Sequence, residues 1–258
     1  MKKYFKGFLM AISMFTVIPL PRYEWDDEGG KNIMKFYPAI GLIVGLIWYG
    51  VFRLLNLLGA SIMVTTAITL IIPFILTGML HLDGYMDVCD ALLSRRDKEE
   101  KLRILKDPHT GAFAVISVVM LFVVNFSGLY TVISNSIQDN SINISTIGLI
   151  LIPIISRSLM GYLLLSKESM KGSSLGAFFK QGTGKIDRFI LLSFLIISSI
   201  ISIFIFGICG LIMSLAMILV STFFVNNAVK EFGGMSGDSA GYGLVIAETI
   251  GILILSFI

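Results

Sequence analysis

Long apolar stretches alternate with short polar connections along almost the whole chain. The stretches approach about 20 residues, the length at which an α-helix crosses the hydrocarbon core of a bilayer. The run from Phe189 to Val229 is too long for one crossing, and the glycines of its GICG stretch supply a tight turn. The pattern predicts an all-α, polytopic integral membrane helical bundle of about seven transmembrane helices. We place them at 39–58, 62–80, 112–134, 146–165, 189–207, 211–229 and 241–258.

The N-terminal segment MKKYFKGFLMAISMFTVIPLPRY is basic and then apolar, which is also typical of a signal peptide. Its apolar run ends in Pro19 and Pro21, and no small-residue cleavage site follows it. We therefore expect a retained interfacial or re-entrant helix at the N-terminus. We expect residues 1–258 to form one membrane-embedded domain.

Lysines and arginines indicate the orientation of the bundle. Seven crossings place every basic loop on one face, and positive residues mark the cytoplasmic side. Asp139 is the one carboxylate in a connection on the opposite face. We therefore expect a multi-pass protein of the cell membrane, with any chemistry confined to its cytoplasmic loops 81–111, 166–188 and 230–240. The basic loops are 21–38, 81–111, 166–188 and 230–240, and the connections without lysine or arginine are 59–61, 135–145 and 208–210.

The composition agrees with a membrane protein and excludes other classes. Hydrophobic residues make up 55% of the chain and charged residues 14%, whereas a soluble domain carries about a quarter charged residues. The formal net charge is only +3, and its basic residues are spread over several loops, which argues against nucleic acid as a partner. Cys89 and Cys209 are far apart, so a CxxC redox or zinc motif is excluded.

Three carboxylates in this hydrophobic chain share one edge of a predicted helix. At 100° per residue, Asp87 and Asp90 lie at about +40° and −20° from Asp83. Carboxylates this close repel one another, and a divalent cation relieves the conflict. Oxygen ligands favour Mg²⁺ or Mn²⁺ over zinc or copper. Asp107 follows a basic stretch and is placed to return a fourth carboxylate to the same region.

Basic residues lie between the aspartates, including Arg95, Arg96 and Lys106. A loop of clustered carboxylates with flanking cations suits a metal-chelated phosphate or pyrophosphate. The alternative for the basic run is a solvated cytoplasmic loop that obeys the positive-inside rule.

At this point the residues resemble a known family. HLDGYMDVCDAL and RILKDPHTGAF resemble the signature H-x-D-G-x-x-D-x-x-D-A and I-x-K-D-x-x-x-G-A of the cobalamin synthases, the adenosylcobinamide-GDP ribazoletransferases. The stretch from Gly233 to Glu248, GGMSGDSAGYGLVIAE, is similar to the family's second block. Ser236 stands where threonine is usual, and Pro108 and His109 replace a Ser-Arg pair.

The resemblance implies a Mg²⁺-dependent membrane transferase that acts late in cobalamin biosynthesis. Such an enzyme transfers the cobinamide-phosphate moiety of adenosylcobinamide-GDP to α-ribazole or α-ribazole 5′-phosphate and releases GMP. The choice between these acceptors stays open at this point, as does assembly into a homo-oligomer.

The resemblance also implies roles for individual residues. Asp83, Asp87 and Asp90 become candidate metal ligands, and Asp107 a fourth ligand or the base for the attacking hydroxyl. His81 is a candidate for contacting phosphate or donating a hydrogen bond. The further candidates for substrate binding are Arg95, Arg96, Lys106, Asp238, Gly234, Gly237, Arg157 and Glu248.

Each of the later candidates has a simpler structural explanation. The GGMSGDS stretch could be a glycine turn with a capping aspartate, instead of a turn whose N–H groups meet an anion. Glu248, about halfway along the last crossing, could pair with Arg157 instead of contacting substrate.

Two other functions compete with the synthase. A CDP-alcohol phosphotransferase uses related metal chemistry, but its D-x-x-D-G-x-x-A-R motif is not matched, since Asp87 and Val88 stand where Ala-Arg is expected. A secondary transporter would also carry intramembrane charges such as Arg157 and Glu248. It would place its carboxylates near the bilayer midplane, whereas here they crowd the predicted cytoplasmic edge.

Overall fold

The computed structural model describes residues 2–21, 25–138 and 144–258. These residues form an all-helical architecture, in agreement with the fold class expected from the sequence. Asp139 lies outside the described residues. The helices are α1 (Lys2–Phe15), α2 (Asp27–Gly30), α3 (Tyr37–Leu57), α4 (Ile62–Leu76), α5 (Leu80–Leu93), α6 (Lys98–Ile104), α7 (Ala112–Gln138), α8 (Gly148–Ser166), α9 (Ser174–Lys180), α10 (Lys185–Phe206), α11 (Ile208–Phe232) and α12 (Gly237–Leu255).

Six of the predicted crossings are confirmed as helices long and apolar enough to span a bilayer. They are α3 and α8, each extended by the short 3₁₀ turn before it, and α7, α10, α11 and α12. The chain is therefore a multi-pass membrane protein. Helix α1 has only 14 residues, too few for a crossing, and it packs against the core through Met10, Ala11 and Phe15.

The second predicted crossing differs from the expectation. Helix α4 has 15 residues, about 22 Å at 1.5 Å per residue, which is shorter than a hydrocarbon core of about 30 Å. Gly78 and Met79 follow it with φ of 59° and 61°, and α5 leaves at 90° to α4. The broken pair counts as a seventh span only if both helices are taken together.

The region 81–111, which we predicted as a cytoplasmic connection with three aspartates along a helix edge, is largely helical. Helix α5 carries the three aspartates on one edge, and it buries Val88, Cys89 and Ala91 on another. These apolar side chains pack with Phe232 of α11 and Tyr242 of α12. Tertiary packing thus holds α5 against the bundle, although its sequence is too polar for a crossing.

Helix α8 lies at the centre of the bundle, with most of its residues buried. Arg157 of α8 and Glu248 of α12 form an ion pair of 2.6 Å between Nη1 and Oε1, with side chains 1% and 10% exposed. The Ser156 hydroxyl donates to the same carboxylate oxygen at 2.9 Å. Both charges, which we considered for substrate binding, thus have each other as partners and tie α8 to α12.

We expect the Arg157–Glu248 pair to be essential for stability. Glu248→Leu leaves the buried guanidinium without its counter-ion, which lowers the free energy of unfolding by about 3 kcal/mol. The double variant Arg157→Met/Glu248→Leu removes both charges and recovers most of that loss. Thermal unfolding in detergent, followed by circular dichroism, measures both effects. Unfolding of the single variant at the wild-type temperature would contradict this account.

Candidate active site

The site forms where α5 crosses the beginning of α12. The two helices approach closely because glycines face the partner backbone on both sides. A Cβ on Gly84 would lie 2.8 Å from Cα of Asp238, and a Cβ on Gly241 would lie 2.9 Å from the carbonyl oxygen of His81. No larger residue fits at either position without separating the helices. The crossing therefore places the first aspartate of α5 next to the only acidic residue in the first turn of α12.

Local sequence signals fix the start of α12 at this crossing. Gly233 ends α11 in the left-handed conformation, with φ of 76°, a common helix C-terminus. Ser236 then caps α12, since its hydroxyl accepts the N–H of Ser239 at 3.1 Å. Because α11 ends and α12 begins within a few residues of each other, Asp238 lies in the first turn of α12. The helix dipole favours a negative charge at this position.

Four carboxylates gather around the crossing. Asp87 lies within electrostatic range of Asp83, Asp90 and Asp238, and Asp238 within range of Asp83. Asp83 and Asp238 also line one cavity between α5 and α12. The ion pairs seen among the described residues involve none of these four aspartates. Within the part of the chain that the structure describes, the cluster is therefore a concentration of carboxylates with no ion-pair partner.

Asp90 has a structural task in addition to its place in the stripe. Its Oδ1 accepts the N–H of Ala114, in the first turn of α7, at 3.3 Å. Its carboxylate also contacts Gly111, where a Cβ would collide with it. Asp90 thus joins the end of α5 to the beginning of α7, with one oxygen engaged in that contact.

Asp107 is turned towards its own loop. Its carboxylate accepts the backbone N–H of His109 at 3.0 Å and contacts Nδ1 of the same residue at 2.7 Å. The backbone hydrogen bond and the side chain of His109 lower the pKa of Asp107. A general base works best with a pKa near the working pH, so this environment favours an electrostatic role over proton abstraction.

His81 is buried and forms a hydrogen bond with Tyr37, a residue that we did not predict as part of the site. Its Nε2 lies 2.8 Å from the hydroxyl of Tyr37 on α3, and both residues line the cavity with Asp83 and Asp238. Phe15 of α1 meets the imidazole edge-on, with ring centroids 6.5 Å apart. Tyr37 stands in the FYPAIG stretch, but nothing in its own sequence context predicts a partner 44 residues away.

The glycine turn before α12 uses its N–H groups internally. The amides of Gly233 and Gly234 both donate to the carbonyl of Val229, and the amide of Met235 donates to the backbone carbonyl of Glu168. A Cβ on Gly234 would strike the backbone at Ser169 and Met170. Gly234 therefore serves close docking of the segment after α8, while Gly237 lines the cavity at the start of α12.

Two lysines, one in α6 and one just after it, approach glycines close to the site. The Nζ of Lys98 lies 3.2 Å from the point where a Cβ on Gly233 would be. The Nζ of Lys106 lies 3.7 Å from the corresponding point on Gly172. Lys101 pairs with Glu231 of α11 at 2.6 Å, which anchors α6 on the bundle. Lys98, which was not among the substrate-binding candidates, thus lies by the turn before α12, whereas Lys106 lies by Gly172 in the segment after α8. Arg95 and Arg96 are exposed in the connection between α5 and α6.

Together, the fold and this carboxylate cluster define a polytopic membrane enzyme with an acidic centre and lysines nearby. A family model described as Cobalamin-5-phosphate synthase matches residues 7–256. The chain belongs to this family. It is a transferase of cobalamin biosynthesis embedded in the membrane, which favours the first of the three functions considered from the sequence.

Relatives named adenosylcobinamide-GDP ribazoletransferase agree with that assignment. The chain is 53% identical to the one from Clostridium perfringens strain SM101, over 100% of both chains. It is 48% identical to the one from Clostridium botulinum strain Alaska E43, over 98% of this chain and 97% of the relative. It is 31% identical to the one from Lachnoclostridium phytofermentans, over 95% of this chain and 91% of the relative. No solved structure matches the chain.

We expect Gly84→Ala to damage the crossing of α5 and α12. The added methyl group meets backbone atoms of Asp238, which cannot rotate away, so the helices must separate at a cost of about 1–3 kcal/mol. Thermal unfolding in detergent measures the loss. Gly50→Ala in α3 is the matched control, because a Cβ there meets nothing within 4 Å. Equal unfolding temperatures for the two variants would contradict the close approach.

Proposed function

We propose that the chain transfers the cobinamide-phosphate moiety of adenosylcobinamide-GDP to α-ribazole or α-ribazole 5′-phosphate. The observation that carries this proposal is the cluster of four aspartates at the α5–α12 crossing, for which the described residues provide no ion-pair partner. The family assignment and the printed names of the relatives support the substrate. The description of the family model favours the 5′-phosphate as acceptor.

In the proposed reaction, a hydroxyl of the acceptor ribose attacks the phosphorus that carries cobinamide. A new phosphorus–oxygen bond to the acceptor forms as the bond to the GMP phosphate oxygen breaks. The hydroxyl proton leaves and GMP departs, so that atoms and charges balance. Such a transfer needs positioning and charge neutralisation from the protein more than covalent chemistry.

Mg²⁺ is the cofactor in this proposal, and the donors available fit it because they are carboxylate oxygens. Asp83, Asp87 and Asp238 would hold the ion, with Asp90 beside them. Asp107, which is engaged with His109 in its own loop, would join them only if that loop moved. When bound, Mg²⁺ supplies neutralisation of the diphosphate charge. Among the described residues no three potential ligands are already grouped at metal-binding distances, so we expect the side chains to close around the ion.

Other side chains have positioning roles in the proposal. Lys98 and Lys106 lie at the glycine turns of residues 233 and 172, where their ammonium groups suit the phosphates of the nucleotide. Arg95 and Arg96 extend this positive edge. His81, held by Tyr37 at 2.8 Å, borders the acidic cavity and is placed for a hydrogen bond to the substrate. We place this site on the cytoplasmic face of the cell membrane, since the basic loops surround it.

The direct test measures GMP release by the purified protein in detergent. We expect release from adenosylcobinamide-GDP to require both an acceptor and Mg²⁺, and to stop when the metal is chelated. Parallel assays with α-ribazole and with its 5′-phosphate decide the preferred acceptor. Release of GMP without an acceptor, or undiminished turnover in excess chelator, would overturn the proposal.

We expect Asp83→Asn and Asp87→Asn each to reduce turnover by about 100-fold or more, because each removes a negative ligand from the site. Glu99→Gln is the control, since it removes an exposed carboxylate from nearby α6. Size-exclusion chromatography should match the wild type for all three proteins. The unfolding temperature should not fall in any of them, because each aspartate variant removes one of the mutually repelling charges. Wild-type rates in either aspartate variant would discard the metal assignment.

A further inference from the structure

A second cavity lies on the opposite side of α5 from the aspartates. It has a volume of about 690 Å³ and lies between α5, α7, α11 and α12. At 100° per residue, its lining residues Tyr85, Cys89 and Leu92 are about 200°, 240° and 180° from Asp83. The groove is therefore separate from the proposed active site, although both share the same helix.

The groove opens towards the lipid. Three of its four helices, α7, α11 and α12, are candidate membrane spans. Its lining includes Met120 and Val124 of α7, which are 64% and 37% exposed. On a spanning helix, such exposed apolar side chains face hydrocarbon, so the groove is continuous with the interior of the bilayer.

The lining changes from polar to apolar along the groove. Ser117, Asn227 and Tyr242 lie five residues from the ends of α7, α11 and α12 that face α5, about 7 Å along each helix. Val124, Val220 and Ile250 lie about 18 Å from the same ends and are apolar. Thr249 at the deep end donates its hydroxyl to the carbonyl of Val245, so it adds no free donor there.

We infer that this groove binds a phospholipid of the inner leaflet, with one acyl chain between α7, α11 and α12. The polar end faces the side on which the basic loops lie, which matches the orientation of an inner-leaflet lipid with its ester groups near the surface. The volume is within the range of about 300–1,000 Å³ that is typical of small-molecule sites. A bound chain would also pack against Tyr85 and Leu92, behind the aspartate-bearing edge of α5.

The test measures phospholipid retained by the full-length protein, purified in mild detergent, with native mass spectrometry. We expect one phospholipid per wild-type chain. Val124→Trp fills the groove from its open side and should reduce retention by about tenfold. Val123→Trp is the matched control, because Val123 is on the same helix, is 61% exposed and does not line the groove.

The outcomes separate this inference from the proposed reaction, because lipid retention is measured without turnover. Equal retention by the two tryptophan variants would overturn the inference. Purification of the wild-type chain without phospholipid, or with detergent alone after reconstitution in phospholipid, would also overturn it. An unfolding temperature near wild type for Val124→Trp shows that lost retention is a loss of binding; if this variant unfolds early, Ile250→Phe replaces it and the same criterion applies.

Discussion

The close crossing of α5 and α12 is the constraint on which the site depends. Two glycines, Gly84 and Gly241, leave room for backbone to meet backbone. This contact also has a chemical consequence, because it brings carboxylates from two distant parts of the chain together. Like charges repel at this range, so packing elsewhere must hold the helices in place. The proximity of the carboxylates is unfavourable while the site is empty, and a bound cation would relieve the repulsion.

Several contacts hold the acidic crossing in place. The Arg157–Glu248 pair joins α8 to α12 within the core at 2.6 Å. Tyr37 and His81 join α3 to α5 through a buried hydrogen bond of 2.8 Å. Asp90 fastens the other end of α5 to α7. Helix α5 is thus fixed at both ends, and this fixation opposes the repulsion among the aspartates that it carries.

The sequence predicted the helical bundle and the aspartate stripe because both depend on local periodicity. Runs of about 20 apolar residues define crossings, and spacings of four and three place Asp83, Asp87 and Asp90 on one edge. The break at Gly78 and Met79 was not predicted, because a left-handed methionine has no local signal. The proximity of Asp238 to Asp83 and the Tyr37–His81 contact depend on tertiary packing. Two alternatives were open for the glycine turn, a capping turn or amides offered to an anion. Its amides at 233–235 bond to the end of α11 and to the segment after α8.

The most direct test of the central claim is equilibrium binding of Mn²⁺, as a spectroscopic substitute for Mg²⁺, followed by electron paramagnetic resonance of the free ion. The account predicts that Asp83→Asn and Asp238→Asn, one from each helix, both weaken binding by at least about tenfold. Binding that is lost in Asp83→Asn but is unchanged in Asp238→Asn would contradict a site shared between the two helices.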